Sequence, residues 1–263
     1  MRRTTFSLCL VSLVLSVPGC GDDSGSDGGD DAGTAGSGGD GGGSPSDCYA
    51  VGSDGVLVLE GENLPLNDMW TVGSSEAGFT GTGYAYWSGE SFNGQPGNGE
   101  MLVDLQLPEA GRYKFQWRAR IGMGDDPTEH NDVWVKFPDA VDYYGMKDSP
   151  ESRRYPKPQC EDADFIAGIE GLPETGEIRC AEGSTRDGWM KVYSSGARDW
   201  RWSTQTSDND AHPIFFEVDA AGTYTLQMSA RADWMLIDRI VVHLETVDDD
   251  TARDESRAET RCE

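Results

Sequence analysis

The sequence predicts an all-β protein: an antiparallel β-sandwich that carries a disulfide-stapled loop insertion. Three observations lead there. From Val56 to about Thr246 apolar residues recur at every second position, no useful stretch keeps a helical period, and the alternating runs are short and parted by Gly-rich turns. The roughly 190 residues between these limits suit one such domain.

The stretch 57-LVLEGENLPL-66 opens the folded part with a first strand that begins near Val56 and ends in the E-x-E of Glu60 and Glu62. Side chains alternate between faces of a strand, so Val56, Val58, Glu60 and Glu62 are expected on one side. Two carboxylates beside apolar side chains are costly unless a positive charge meets them. The run 101-MLVDLQL-107 comes next, and then 112-RYKFQWRARI-121. In the latter Tyr113, Phe115, Trp117, Ala119 and Ile121 face inward, and Arg112, Lys114, Gln116, Arg118 and Arg120 form a solvated face. After 132-DVWVKF-137 the rhythm breaks from about 138 to 188, a stretch rich in Pro, Asp, Glu and Gly without clear strands. A long loop inside a compact domain is functional or decorative. Alternation resumes at 189-WMKVYS-194, 214-IFFEVD-219, 223-TYTLQMSA-230 and 235-MLIDRIVVHL-244. Two stretches echo each other, 107-LPEAGRYKFQWRAR-120 and 218-VDAAGTYTLQMSAR-231, which suits two equivalent strands each entered through a tight turn. An acidic tail occupies 248–263.

Before the domain, Met1-Arg2-Arg3 and the apolar run Phe6 to Val17 read as a secretory signal over 1–19, too short to span a bilayer. Its ending, 17-VPGC-20, resembles the lipobox of bacterial lipoproteins, which implies lipidation of Cys20. Residues 20–47 are nearly all Gly, Asp and Ser, a flexible solvated linker with a root-mean-square span of roughly 30 Å. The expected location is therefore a bacterial membrane-anchored lipoprotein, periplasmic or exposed at the cell surface.

Setting aside Cys9 and Cys20, four cysteines remain: Cys48, Cys160, Cys180 and Cys262. An even number in an exported chain favours two disulfides over zinc, whose ligands are spaced more closely. Of the three pairings, Cys160–Cys180 closes a local loop and Cys48–Cys262 joins the ends of the domain, and these are expected.

Lys+Arg number 21 against Asp+Glu 47, a net charge of −26. Such acidity argues against nucleic acid and against an electrostatic dock on anionic lipid, so any membrane contact is through the anchor.

The E-x-E ending the first strand, 81-GTGY-84, the AG-Y-x-aromatic strand and the late I-D-R-I-V together resemble carbohydrate-binding modules of family 6 and family 35 type, galactose-binding-like β-sandwiches of jelly-roll form. The resemblance covers roughly 56–246 without the insertion. It implies a structural calcium held by Glu60, Glu62 and Asp238. The residues agree independently, because alternation places Asp238 in line with Leu236, Ile240 and Val242, and calcium takes six to eight oxygens. It also implies a polysaccharide or glycan as partner, bound by a monomer.

Sugar sites need flat aromatic platforms beside polar groups that fix hydroxyls. Trp87, Trp189, Trp200, Trp202 and Trp234 lie near strand ends or loops, each either a platform or part of the core. Related modules carry a ligand-binding Asn shortly before the late-strand Asp. Here 231-RADWMLIDRI-240 has none, and Arg231 and Trp234 are the candidate substitutes. His130, Asn131 and Asp132 in 129-EHNDVW-134 serve either a ligand or a turn. Among these the expected ligand set is Trp87, Asn131, Trp200, Trp202, Arg231 and Trp234. The chain shows neither a G-x-S-x-G elbow nor an H-E-x-x-H helix. A non-catalytic glycan binder is the reading; a structural or protein-interaction lipoprotein and a polysaccharide-active enzyme are its rivals.

Overall fold

The computed structural model describes residues 48–169, 179–196 and 198–262. The signal peptide, Cys20, the linker and residues 170–178 of the insertion lie outside the described residues. Strands β1 (Cys48–Ala50), β2 (Val56–Glu60), β3 (Trp70–Gly73), β4 (Tyr84–Trp87) and β5 (Met101–Leu107) come first. They are followed by β6 (Gly111–Ile121), β7 (Asp132–Lys136), β8 (Asp142–Gly145), β9 (Arg154–Tyr155) and β10 (Arg179–Cys180). The last are β11 (Met190–Tyr193), β12 (Arg201–Trp202), β13 (Ile214–Val218), β14 (Gly222–Ser229) and β15 (Met235–Leu244).

Among the described residues these strands make two sheets. One has five strands in the order β1-β5-β14-β7-β11. The other has ten, running β10-β9-β8-β13-β6-β15-β4-β3, with β12 on β6 and β2 on β15. Pairing is antiparallel apart from β1 with β5 and β9 with β10. The predicted sandwich is the one that forms. Its core lies where the inward halves of the alternating strands meet: Met101, Val103, Leu105 and Leu107 from one sheet, Tyr113, Phe115 and Trp117 from the other. Phe137 and Phe216 stack at 4.4 Å near its middle.

The two echoing stretches become β6 and β14, one in each sheet. Each is fixed at its start in the same way. The Tyr113 hydroxyl donates to the Glu109 carbonyl at 2.9 Å, and that of Tyr224 to Ala220 at 3.0 Å. In both cases a tyrosine four residues on ties down the tight turn that precedes its strand.

Three expectations need correction. The insertion does contain strands: β8 pairs with β13, and the short β9 and β10 continue the sheet. Alternation could not reveal β8, because Tyr143 packs into the main core while Tyr144 packs into a second cluster with Tyr155, Phe215 and Cys160. Helices α1 (Lys157–Cys160) and α2 (Ala163–Gly168) lie in the same region. Second, the outward face of β6 is not open to solvent. The C-terminal segment lies over it, where Lys114 and Gln116 meet Asp249 at 2.7 Å and Arg118 meets Glu255 at 2.8 Å. Third, β15 carries a bulge between Ile237 and Arg239. Met235 and Ile237 face the core before it, Ile240 and Val242 after it, so Asp238 does not share their face.

Both expected disulfides form, Cys48–Cys262 and Cys160–Cys180, with Cα–Cα separations of 5.5 and 5.2 Å.

Candidate binding cleft

At one end of the five-stranded sheet, the loops around 91–93, 128–132 and 231–233 enclose a cleft of about 480 Å³. Asp132 opens β7, Arg231 lies just past the end of β14, and Lys191 is the second residue of β11. Strand register brings them together: Tyr193 lies across from Asp132, Lys191 from Trp134, and Ser229 from Trp134 on the other side.

A guanidinium nitrogen of Arg231 bonds the Asp132 carboxylate, and its plane rests over Trp134 at 4.9 Å. Lys191 stands 3.5 Å from the same carboxylate and binds Asp208 more closely, at 2.7 Å. Asp132 Oδ1 and Arg231 Nε are buried and have no hydrogen-bond partner. One acceptor and one donor of a charged pair beside the cleft are therefore unpaired and closed to solvent.

The walls are latched. Asp233 accepts from Ser91 Oγ at 2.8 Å. His130 Nδ1 lies 2.9 Å from the Asp233 carboxylate and 3.0 Å from its carbonyl. Both partners are acceptors, so Nδ1 carries the hydrogen, and in the neutral ring Nε2 is left as an acceptor. His130 and Trp234 both adopt left-handed backbone, φ 54° and 56°, a conformation that costs about 1–3 kcal/mol at a non-glycine residue and is held by its surroundings.

Of the expected ligand set, the structure places Arg231 in the cleft. Asn131 lies beneath it with its amide donating to the Ser194 carbonyl at 2.9 Å, a scaffold contact joining β7 to β11. Trp234 lies next to the cleft residue Asp233 and stacks on Tyr86 at 4.8 Å. Trp200 sits apart, with its ring 5.7 and 5.6 Å from the guanidinium carbons of Arg118 and Arg120. Trp202 packs against Val56, Val58, Val241 and Ala252 under the C-terminal segment. Trp87 is 4 % exposed and wedged against Trp70 and Phe92, so it is a core residue and no platform. Absent from the expected set were Asp132, His130, Lys191 and Asp233. The 129-EHNDVW-134 cluster pointed to the first two; nothing local marked the others, of which Lys191 arrives through strand register and Asp233 through the loop before β15.

The three acids expected to hold calcium gather around the Thr80–Thr82 turn. Arg239 grips Glu60, with Nε 3.3 Å from Oε2 and a second nitrogen on Oε1. Arg118 donates to Asp238 Oδ2 at 2.5 Å. Thr80 donates its N–H to Asp238 Oδ1 at 2.7 Å and its hydroxyl to Glu60 Oε2 at 2.8 Å. Burial pushes the Asp238 carboxyl above its usual range, against the pull of Arg118 and Thr80. Glu62 accepts from Thr82 and keeps one buried oxygen without a partner. The oxygens of Glu60 and Asp238 thus accept from Arg118, Arg239 and Thr80, and among the described residues no group of three His, Cys, Asp or Glu is placed to hold a metal ion.

No protein-family model matches the chain, and no curated protein does. Among solved structures, the fold is similar to that of a Podospora anserina β-(1,4)-mannanase bearing a family 35 carbohydrate-binding module, at 13 % identity and TM-score 0.42 over 74 % of this chain and 29 % of that one. It is similar to a family 35 module from Clostridium thermocellum, at 13 % identity and TM-score 0.39, over 71 % of this chain and 96 % of the module. A family 35 module from Cellvibrio japonicus shows 16 % identity and TM-score 0.37 over 71 % and 91 %. The chain thus spans under a third of the mannanase and nearly all of each isolated module. This is a likeness of fold, and it assigns no ligand.

Proposed function

We propose that the chain is a non-catalytic glycan-binding protein, exported and tethered through a lipid on Cys20, with the Asp132–Arg231 cleft as its binding site. The observation that carries this is the orphaned pair, Asp132 Oδ1 and Arg231 Nε. A buried polar atom left unbonded costs about 1–3 kcal/mol. Both atoms are closed to solvent in the empty cleft, so a sugar hydroxyl, which both donates and accepts, satisfies them only by displacing the Arg231 side chain as it enters. The cleft's size falls within the range of small-ligand sites, about 300–1,000 Å³.

Charge selects the class of sugar. Arg231 is neutralised by Asp132 and Lys191 by Asp208, while Glu129 and Asp233 add further acid at the cleft. Among the described residues no unmatched Lys or Arg lines the cleft to receive a carboxylate, which favours neutral glycans.

The test is a glycan array followed by calorimetry on the chain with Cys20→Ser, which removes the anchor. Neutral polysaccharide should bind, and Asp132→Asn and Arg231→Lys should each weaken it by roughly 10-fold or more, the scale of one lost buried hydrogen bond. Binding to no neutral or acidic glycan would leave a structural surface protein. Turnover of a bound glycan would make it an enzyme. The anchor is checked separately: Cys20→Ser should move the chain from the membrane to the soluble fraction.

A further inference from the structure

We propose that the guanidinium groups of Arg118 and Arg239 supply the positive charge that the acids of β2 and β15 demand, so that the domain is stable without calcium. The inference rests on the ion network and not on the glycan reading. Asp238 is fully buried, and Glu60 and Arg239 nearly so at 6 % and 3 % exposed. Each carboxylate oxygen of Glu60 and Asp238 already accepts from an arginine or from Thr80. The Arg239 fork takes both oxygens of Glu60, a geometry that an arginine satisfies better than any other cationic side chain.

The surrounding backbone argues the same way. Calcium is held by oxygens, including carbonyls. Here the turn after Phe79 presents N–H groups: those of Thr80 and Thr82 donate to Asp238 and Glu62 at 2.7 and 2.5 Å. Gly81 makes this possible, since its φ is +61° and a Cβ there would lie 2.2 Å from Glu62 Oε1. The carbonyl of Gly78, which could face a metal, instead accepts from Arg118 at 3.0 Å. A divalent ion placed among these groups would stand against two buried guanidinium ions, with one Glu62 oxygen unclaimed.

The test uses the mature chain carrying Cys20→Ser, dialysed against chelator and melted with and without millimolar calcium. The two melting temperatures should agree; a rise of about 5 °C or more with calcium would overturn the proposal. Arg239→Gln should lower Tm by on the order of 10 °C, the scale of one partner removed from a buried pair in a domain of this size. Adding Glu60→Gln should restore most of that loss. No loss in Arg239→Gln, or no recovery in the double variant, would refute the role assigned to the arginine. If the single variant does not fold, the double variant decides alone: near-native melting supports the proposal and failure to fold overturns it.

Discussion

Deleting the indole of Trp87 would empty a site closed by Trp70 at 5.7 Å and Phe92 at 6.0 Å, and would strand the Glu90 carbonyl that its Nε1 bonds at 2.8 Å. Trp87→Ala is expected to cost about 3–5 kcal/mol in chemical denaturation, the usual range for a buried aromatic cut to alanine. Trp234→Ala removes a partly buried ring stacked on one tyrosine and should cost about 1 kcal/mol. Equal losses would contradict this division. The sequence could not separate the two tryptophans, because both lie beside strand ends and only the covering loops decide which is enclosed. Asp142 offers a second residue-scale case. Burial pushes it up to about 7, helped by Glu217 and opposed by Tyr155 and Arg153. In the folded state it holds a proton that the unfolded chain releases above about pH 4. Its contribution is therefore full below that pH and is lost as pH rises through about 7. Asp142→Asn should be more stable than wild type at pH 8 and no more stable at pH 4.5, read by denaturant midpoints; a constant difference would refute the assignment.

At the scale of elements, a period of two told which residues of β5 and β6 turn inward, because one face of each meets the core. It failed where a strand is covered on both sides, as in β8, and where the strand is irregular, as in β15. A bulge of one residue reverses every later side chain, so alternation counted straight through Asp238 puts it on the wrong face. The sequence did expose a demand for charge at the acids, which arginines meet at Glu60 and Asp238 and, among the described residues, none meets at Glu62. It could not show which cation meets it, since Arg118 and Arg239 reach the acids only through the pairing of β6, β15 and β2. The cleft follows the same rule. Arg231 stood out beside Trp234, whereas Lys191 and Asp132 become partners through the β11–β7 register.

For the whole molecule, the C-terminal segment closes the domain. Thr260 holds Val58 by its N–H, which donates to the carbonyl at 2.9 Å, and by its hydroxyl, which accepts from the N–H at 2.9 Å and donates to the carbonyl at 3.3 Å. Glu259 accepts from the Glu60 N–H and from the Asn63 amide, each at 3.0 Å. Ala252 in α3 (Asp249–Ala252) completes a small apolar cluster with Val56, Val58 and Val241, and Asp249 and Glu255 answer the cations of β6. Cys48–Cys262 locks this segment across a separation of 214 residues, whereas Cys160–Cys180 spans 20. Chain entropy then gives about 5 kcal/mol for the first and about 3 kcal/mol for the second. The larger cross-link also pins the cover of the outer face, so its loss should act in two ways. Cys48→Ser with Cys262→Ser should lower Tm more than Cys160→Ser with Cys180→Ser. It should also speed amide exchange of residues 249–262 and of β2 before global unfolding, because the segment can then lift away from Val56 and Val58. The Cys160 and Cys180 pair of substitutions should leave that exchange unchanged. Equal exchange in the two variants would show that hydrogen bonds and ion pairs hold the segment without the disulfide.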